Sequence, residues 1–257
     1  KRQHQQAMIP FYIFYSMFGF QRIGDLAWAS GDSQARGFLI GATAGRTTLN
    51  GEGLQHQDGH SHILANTIPN CKSYDATYAY ELAVIIQDGL ERMYGKKENF
   101  FYYITTMNEN YNHPSIPEGV EQGIIAGVYK VDSTKLTKNK KKSINVNLMG
   151  AGTILHEVIA ASKILADDYS ITSDIWSLTS INELVRDGQE IDRWNMLNPE
   201  KNKKMAYIER ILEDSNGPFV IATDYMKAYG EQLRKYIPDD LHVCLLYTSP
   251  SPRDHQP

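Results

Sequence analysis

The chain has 257 residues, of which 42% are hydrophobic and 22% charged, as expected for a soluble globular protein with one large domain or two ordinary ones. The formal net charge of −4 gives no electrostatic reason to expect nucleic-acid or membrane-surface binding. The only two cysteines, Cys71 and Cys244, lie too far apart for a disulfide framework or a C-x-x-C metal site, which fits a reducing, cytoplasmic compartment.

In the first half of the chain, strand patterns alternate with helix patterns. Short apolar and aromatic runs predict buried strands at Met8–Phe14 and Gly37–Gly45 and a third strand at Phe100–Thr106. Apolar residues at helical spacing predict helices over Tyr15–Ser30 and within Tyr74–Gly95. The helical segment "EGVEQGIIAGVYKV" then closes this unit or leads into the next strand.

The lysine-rich run "DSTKLTKNKKKS" marks a composition break, which we interpret as a solvated linker or turn rather than a nucleic-acid tail. After it, "INVNLMG", "SDIWSLTS" and "PFVIATD" predict strands, and a helix pattern follows each of them. This alternation predicts two mostly parallel-sheet α/β domains, over residues 1–130 and 131–243. Residues 244–257, rich in serine and proline, predict a non-native or disordered tail.

The segment "LNGEGLQHQDGHSHILA" concentrates three imidazoles between a predicted strand and a predicted helix. They are His56, His60 and His62. His56 and His60 are four residues apart, as two zinc ligands on a helix would be, but nearby glycines disfavour a helix and no H-E-x-x-H motif is present. A glycine turn whose imidazoles bond the backbone is a second reading. A ligand-contacting loop at the carboxyl end of a strand is the favoured one.

Other candidate motifs are weaker. "GATAGRTT" and "MGAGT" lack complete phosphate-loop signatures and predict tight turns between strand and helix. The aromatic stripe Tyr12, Tyr15 and Phe18 is by itself typical of core packing, whereas Arg22 on a similar face needs a partner. The polar loop Asn108–Asn112 either faces a substrate or only forms a turn.

From Met8 to roughly His242, the sequence closely resembles the homodimeric bacterial type of pyruvate dehydrogenase first component, a thiamine-diphosphate-dependent family of the transketolase-like superfamily. The resemblance is carried by the continuous stretch from "MIPFYIFYSMFGF" to "LQHQDGHSHILANTIPNC". It continues through "YAYELAVIIQDGLERMYG", "YYITTMNENY", "PEGVEQGI", "DGQEIDRWNML" and "ATDYMKAYGEQLRKYIP". These strings are long and unusual in composition, so the match is specific.

The resemblance implies a partial middle, pyrimidine-binding domain followed by a partial transketolase-like C-terminal domain, truncated at the N-terminus. Tyr15, Phe18 and Arg22 match positions that line the aminopyrimidine pocket, which replaces the core interpretation of Tyr15 and Phe18. His56 matches a catalytic histidine beside cofactor and substrate. His60 and His62 are expected to shape the loop or to contact substrate.

The activity that the resemblance implies is oxidative decarboxylation of pyruvate with thiamine diphosphate, and reductive acetylation of the lipoyl domain of a dihydrolipoyl acetyltransferase. The parent enzyme would be a homodimer, with no nucleic-acid or membrane partner. Mg²⁺ would be bound by a domain absent from this chain, because the sequence has no GDG…N motif and the chain itself holds no metal site. We therefore expect an inactive fragment. Another thiamine-diphosphate 2-oxo acid dehydrogenase, a transketolase and a non-catalytic interaction module are the alternatives.

Overall fold

Two parallel-dominated sheets, each covered by helices, organise the computed structural model, which describes residues 5–6, 8–49, 53–134 and 144–245. The strands of the first sheet are β1 (Phe11–Tyr15), β2 (Phe38–Ala42), β3 (Cys71–Asp75) and β4 (Phe101–Thr105). Their order is β1-β2-β4-β3, and every pairing is parallel. The carboxyl ends of these strands therefore lie at one edge, where open α/β sheets place their ligand-contacting loops.

The helices of the first domain connect these strands on both faces of the sheet. They are α1 (Ser16–Asp32), α2 (Ser61–Asn66), α3 (Ala79–Leu90, continued by a π-helical turn over Glu91–Gly95) and α4 (Glu121–Ala126). The start of α3 is fixed by the Glu81 carboxylate, which accepts hydrogen bonds from the backbone N–H groups of Thr77 and Tyr78. Such a contact satisfies donors that the first helical turn leaves unpaired.

The second sheet has the order β5-β7-β6-β8-β9 and contains one antiparallel edge strand. Its strands are β5 (Val128–Ser133), β6 (Asn145–Gly150), β7 (Thr172–Leu178), β8 (Phe219–Thr223) and β9 (Leu241–Leu245). Its helices are α5 (Ile154–Ile164, continued by a π-helical turn over Leu165–Tyr169), α6 (Ile181–Leu197), α7 (Tyr207–Leu212) and α8 (Lys227–Glu231). In the part of the chain that the structure describes, no helix is both long and apolar enough to cross a bilayer.

Polar contacts join the two domains at the carboxyl edge of the first sheet. The Asp224 carboxylate, just beyond β8, accepts hydrogen bonds from the backbone N–H groups of Arg46 and Thr47 and from the Thr47 hydroxyl. The backbone N–H of Asp75 donates to the carbonyl of Thr179, and the hydroxyl of Ser180 donates to the carbonyl of Ser73. The histidine loop thus lies on a surface that both domains build.

The predicted α/β class is confirmed, as are most of the individual elements. The predicted strand at Met8–Phe14 corresponds to β1, but the expectation that it is buried is wrong: Phe11, Tyr12 and Ile13 are 48%, 53% and 67% exposed. Among the described residues β1 is an edge strand that pairs only with β2, so one side of it is open to solvent. Tyr12 is accordingly not a core residue.

Other departures concern elements whose sequences carry weak patterns. Strands β3 and β9 and helices α2 and α7 were not predicted. The helix expected over "EGVEQGIIAGVYKV" ends at Ala126, and the last residues of that segment begin β5. The helix expected after β8 is the short α8 with a separate 3-10 turn at Arg234–Tyr236. Cys244 and Leu245, assigned to the tail, continue β9 by pairing with Ala222 and Thr223. The rest of the tail and residues 135–143 of the lysine-rich run lie outside the described residues, and the domain boundary near residue 130 stays a prediction.

A left-handed glycine between α4 and β5 provides a test of the domain contact. Gly127 has φ of +115°, and a Cβ there would lie 2.3 Å from the carbonyl oxygen of Ser180. We expect Gly127→Ala to lower the free energy of unfolding by about 3 kcal/mol, since backbone strain costs about 1–2 kcal/mol and overpacking about 1–3 kcal/mol. Urea denaturation followed by circular dichroism measures this loss.

Gly119→Ala is the matched control, because Gly119 also has positive φ (+76°) but open space around the added methyl group. It should lose only the strain contribution of about 1–2 kcal/mol. Equal losses in the two variants would contradict the assigned clash at Ser180.

Candidate functional site

The histidine loop leaves the carboxyl end of β2 and returns to the first sheet through α2. His56 ends a 3-10 turn that begins at Leu54, His60 precedes the first residue of α2, and His62 lies within that helix. Two zinc ligands four residues apart would need to share one face of a helix. His56 and His60 do not, because they belong to different turns. Within the described residues, no group of three or more histidine, cysteine, aspartate or glutamate side chains is placed to hold a metal ion.

An aromatic cluster surrounds His56. Its imidazole meets the ring of Tyr15 at 5.4 Å and the ring of Phe18 at 5.7 Å, both edge-on. Tyr15 is the last residue of β1 and Phe18 lies in the first turn of α1, so the strand-to-helix junction brings both rings to the loop. The guanidinium of Arg22, one turn further along α1, lies 4.4 Å from the centre of the Phe18 ring. The structure thus brings together the four residues that the sequence singled out.

This cluster fits the ring portion of a bound thiamine. Tyr15, Phe18 and His56 are all partly exposed, and their rings lie together on one side of the loop. Aromatic walls hold a flat heterocycle by stacking and exclude water from it. A metal ion needs a different donor set, and among the described residues no group of three or more histidine, cysteine, aspartate or glutamate side chains is placed to supply it.

Asp58, which the sequence analysis did not single out, shapes the loop. Its fully buried carboxylate accepts hydrogen bonds of 3.0 Å from the backbone N–H groups of His60 and Ser61 at the start of α2. The neighbouring Gly59 carbonyl accepts a hydrogen bond of 2.9 Å from the backbone of Met226 in the second domain. An aspartate just before a helix is a recognisable N-terminal signal, so the pattern was available in the sequence.

His60 and His62 occupy different environments. The His60 imidazole is partly exposed and lies 2.8 Å from the side-chain amide nitrogen of Gln21 on α1. His62 is fully buried, where its Nδ1 lies 3.1 Å from the Ser73 hydroxyl and its Nε2 lies 2.9 Å from the Thr105 hydroxyl. Burial lowers the pKa of His62 to about 4, against the opposing effect of the Asp58 charge. His62 is therefore neutral and packed beneath the loop.

A second buried carboxyl lies at the end of β3. Asp75 accepts a hydrogen bond of 2.6 Å from the Thr105 hydroxyl, and Tyr225 of the second domain lies 3.4 Å from the same oxygen. Burial raises the pKa of Asp75 to about 7; the hydrogen bond from Thr105 opposes this rise, and the charges of Asp224 and Asp58 add to it. The groups that surround Asp75 are distant in the sequence, so its raised pKa could not be predicted from the sequence.

The remaining candidate motifs form turns and a pocket wall. The "MGAGT" segment is the turn between β6 and α5, as predicted. "GATAGRTT" begins in the last two residues of β2 and leads into a 3-10 turn at Thr47–Leu49, so the prediction of a tight strand-to-helix turn is wrong there. In the loop after β4, Tyr111 donates a hydrogen bond to the carbonyl of Thr77, and His113 accepts one from the backbone of Ala79. These two residues and Glu109 line a cavity of about 220 Å³ at the ends of β3 and β4.

Comparison with known proteins divides the chain in the same way as its two sheets. A family model described as pyruvate dehydrogenase E1 component middle domain matches residues 1–114, and one described as transketolase-like TK C-terminal domain matches residues 127–245. The chain is 59% identical over 242 residues to the pyruvate dehydrogenase E1 component of Pseudomonas aeruginosa, covering 94% of this chain and 27% of that protein. It is 61% identical over 234 residues to the Escherichia coli K12 protein of the same name, covering 91% of this chain and 26% of that protein.

Solved structures agree on the fold. A transketolase from Campylobacter jejuni superimposes with a TM-score of 0.61 at 14% identity, covering 92% of this chain and 31% of that one. A split-gene transketolase, described as an inactive beta4 tetramer, gives a TM-score of 0.59 at 16% identity. The match covers 92% of this chain and 66% of that one. At these identities the likeness shows the fold alone. The chain spans about a quarter of the length of the curated relatives it matches.

The buried Asp75 carboxyl predicts a specific pH dependence of stability. Because its pKa in the folded state is about 7, above the value of about 3.9 for an exposed aspartate, the folded chain binds the proton more tightly and loses stability as pH rises from about 4 to about 7. Asp75→Asn keeps the shape and removes the charge. It should reduce the fall in unfolding free energy between pH 5 and pH 8 by about 2–3 kcal/mol.

Urea denaturation at the two pH values measures this difference, and the exposed Asp168→Asn provides the control for loss of one surface carboxylate. An unaltered pH profile in Asp75→Asn would show that Asp75 is ionised throughout this range.

Proposed function

Because this chain belongs to the pyruvate dehydrogenase E1 component family, with its middle domain and a transketolase-like C-terminal domain, we propose that it is part of a pyruvate-decarboxylating enzyme. The longer protein would oxidatively decarboxylate pyruvate and reductively acetylate lipoyl groups on a dihydrolipoyl acetyltransferase. The observation that carries this proposal is the meeting of His56 with Tyr15 and Phe18 in a chain about 60% identical to such proteins.

In this proposal Tyr15, Phe18 and Arg22 hold the aminopyrimidine ring of thiamine diphosphate. The two aromatic rings exclude water from it, and Arg22 keeps the Phe18 ring in place through its cation–π contact. When bound, the cofactor supplies the electron sink for decarboxylation. His56, beside the two rings, would donate a proton to the oxygen atoms of the substrate or take one up, a role to which imidazole is suited near neutral pH.

The remaining parts of the enzyme would come from outside this chain. We assign the diphosphate and Mg²⁺ to another domain of the longer protein, the active assembly to a homodimer, and its location to the cytoplasm. The chain alone would then be inactive. A transketolase activity is less well supported, because the transketolase structures share only the fold, whereas the curated relatives at 59–61% identity are pyruvate dehydrogenase components. A non-catalytic module would bind no cofactor.

We expect His56→Ala, introduced into the longer enzyme, to lower pyruvate-dependent reduction of an electron acceptor by about 10²–10⁴-fold, the usual contribution of a positioned acid–base group. His242→Ala is the control, because His242 is an exposed histidine on β9 paired with Asp240. Wild-type turnover in His56→Ala would return His56 to a structural role in the loop.

The aromatic wall predicts a separate effect on cofactor affinity. Phe18→Leu removes a ring that stacks and supports Arg22, so we expect thiamine diphosphate to bind the longer enzyme about tenfold more weakly in isothermal titration calorimetry. Phe11→Leu is the control, because Phe11 lies at the opposite end of β1 and stacks on Phe38. Unchanged affinity in Phe18→Leu would place the pyrimidine ring elsewhere, and no binding by the unaltered enzyme would contradict the proposed function itself.

A further inference from the structure

A buried chain of hydrogen bonds lies beneath the histidine loop. It links Ser73 and Asp75 of β3, His62 of α2 and Thr105 of β4, none of which is more than 2% exposed. Because these groups have no access to water, each donor must face an acceptor for the arrangement to be stable. This requirement fixes the direction of each hydrogen bond.

The direction follows from the carboxylate end. At pH 8, above its pKa of about 7, Asp75 is mostly ionised and only accepts, so the Thr105 hydroxyl, 2.6 Å away, donates to it. The Thr105 oxygen then accepts from Nε2 of His62 at 2.9 Å. Since buried His62 is neutral, its single N–H proton is on Nε2, and Nδ1 is left as the acceptor for the Ser73 hydroxyl at 3.1 Å.

The second domain holds the other end of this chain. The side-chain amide nitrogen of Asn182, on α6, donates to the carbonyl of His62 at 2.8 Å and to the Ser73 oxygen at 2.5 Å. The carbonyl of His62 sets the orientation of this amide, because the amide oxygen in the same place would face another acceptor. The Ser73 oxygen thereby accepts from Asn182, and its own proton remains for His62.

Aromatic rings of the second domain enclose the same imidazole. Tyr229 stacks on His62 with a centroid distance of 5.5 Å and an interplanar angle of 18°, and Tyr225 meets it edge-on at 4.8 Å. Both tyrosines follow β8 in the second domain, and Tyr225 also approaches Asp75. The position of the His62 ring, and with it the first turn of α2, therefore depends on both domains.

We propose that His62 is a positioning residue, held as the Nε2–H tautomer by Ser73, Thr105 and Asp75, which couples the second domain to the placement of the His56 loop. His62 follows His56 by six residues, and Asp58 between them binds the backbone at the start of α2. An α2 fixed by His62 thus fixes the loop that presents His56 to Tyr15 and Phe18. The consequence for turnover rests on the proposed function, whereas the tautomer and the loop order do not.

The tautomer is tested directly in the full chain by nitrogen NMR of ¹⁵N-histidine-labelled protein at pH 8. The expected spectrum shows a His62 proton bonded to Nε2 and an unprotonated Nδ1. A proton on Nδ1, or rapid averaging of the two nitrogens, would overturn the proposal.

The positioning role is tested with a matched pair at residue 105. Thr105→Val keeps the shape and removes the hydroxyl, whereas Thr105→Ser keeps the hydroxyl. We expect amide hydrogen exchange of residues 53–60 to become about tenfold faster in Thr105→Val and to stay near wild type in Thr105→Ser. Equal protection of the loop in both variants would overturn the coupling.

A second pair applies if Thr105→Val does not fold. His62→Gln places an amide N–H near the position of Nε2, whereas His62→Asn places one near Nδ1, so only the Gln variant should retain loop protection. Equal exchange in these two variants also counts against the proposal.

In the longer enzyme, Thr105→Val should lower kcat about 10- to 100-fold with KM little changed, since a misplaced catalytic group costs on that order, and Thr105→Ser should restore kcat. A rise in KM with unchanged kcat would overturn the positioning role. If the unaltered longer enzyme does not consume pyruvate, the proposed function fails, while the NMR and exchange results still decide the role of His62.

Discussion

The carboxylate of Asp224 binds two backbone N–H groups and a hydroxyl in the segment that follows β2, and in doing so it holds the second domain against the loop edge of the first. Buried polar groups stabilise such a contact only when nearly all of them find partners. The neighbouring bonds from Asp75 to Thr179 and from Ser180 to Ser73 pair further buried polar groups of this interface. The geometry of the candidate site depends on this interface, because the loop that carries His56 lies across it.

The four residues around the candidate cofactor position and the residues beneath them differ in their exposure to solvent. Tyr15, Phe18, Arg22 and His56 remain partly or largely exposed. His62 and Asp75 are buried, and their pKa values depart from ordinary values for the same reason, since burial disfavours the charged form of each. His62 and Asp75 therefore hold the loop from beneath and do not themselves face solvent.

Much of the fold was predictable because its strands are short apolar runs and its longer helices carry a clear period. Strand β3 escaped prediction because its residues, CKSYD, are mostly polar. Its burial depends on distant partners, including an ion pair from Lys72 to Glu183 on α6. The pattern alone interpreted Tyr15 and Phe18 as core, and only the family resemblance placed them in a pocket. The helix-start signal of Asp58 lies in the local sequence. The role of Asp75, in contrast, required knowledge of which groups lie around it, which local sequence does not contain.

The anchors of the histidine loop also determine when it becomes ordered. The residues of the second domain that contact the loop and its surroundings all follow it by more than 100 residues in the chain; they are Asn182, Asp224, Tyr225, Met226 and Tyr229. During synthesis from the N-terminus, the first sheet can therefore form while the loop still lacks the groups that hold it. Such non-local closure is slow relative to helix formation, since a long segment must be ordered first. The loop is thus expected to be among the last parts of the molecule to fold, after most of the second domain has been made.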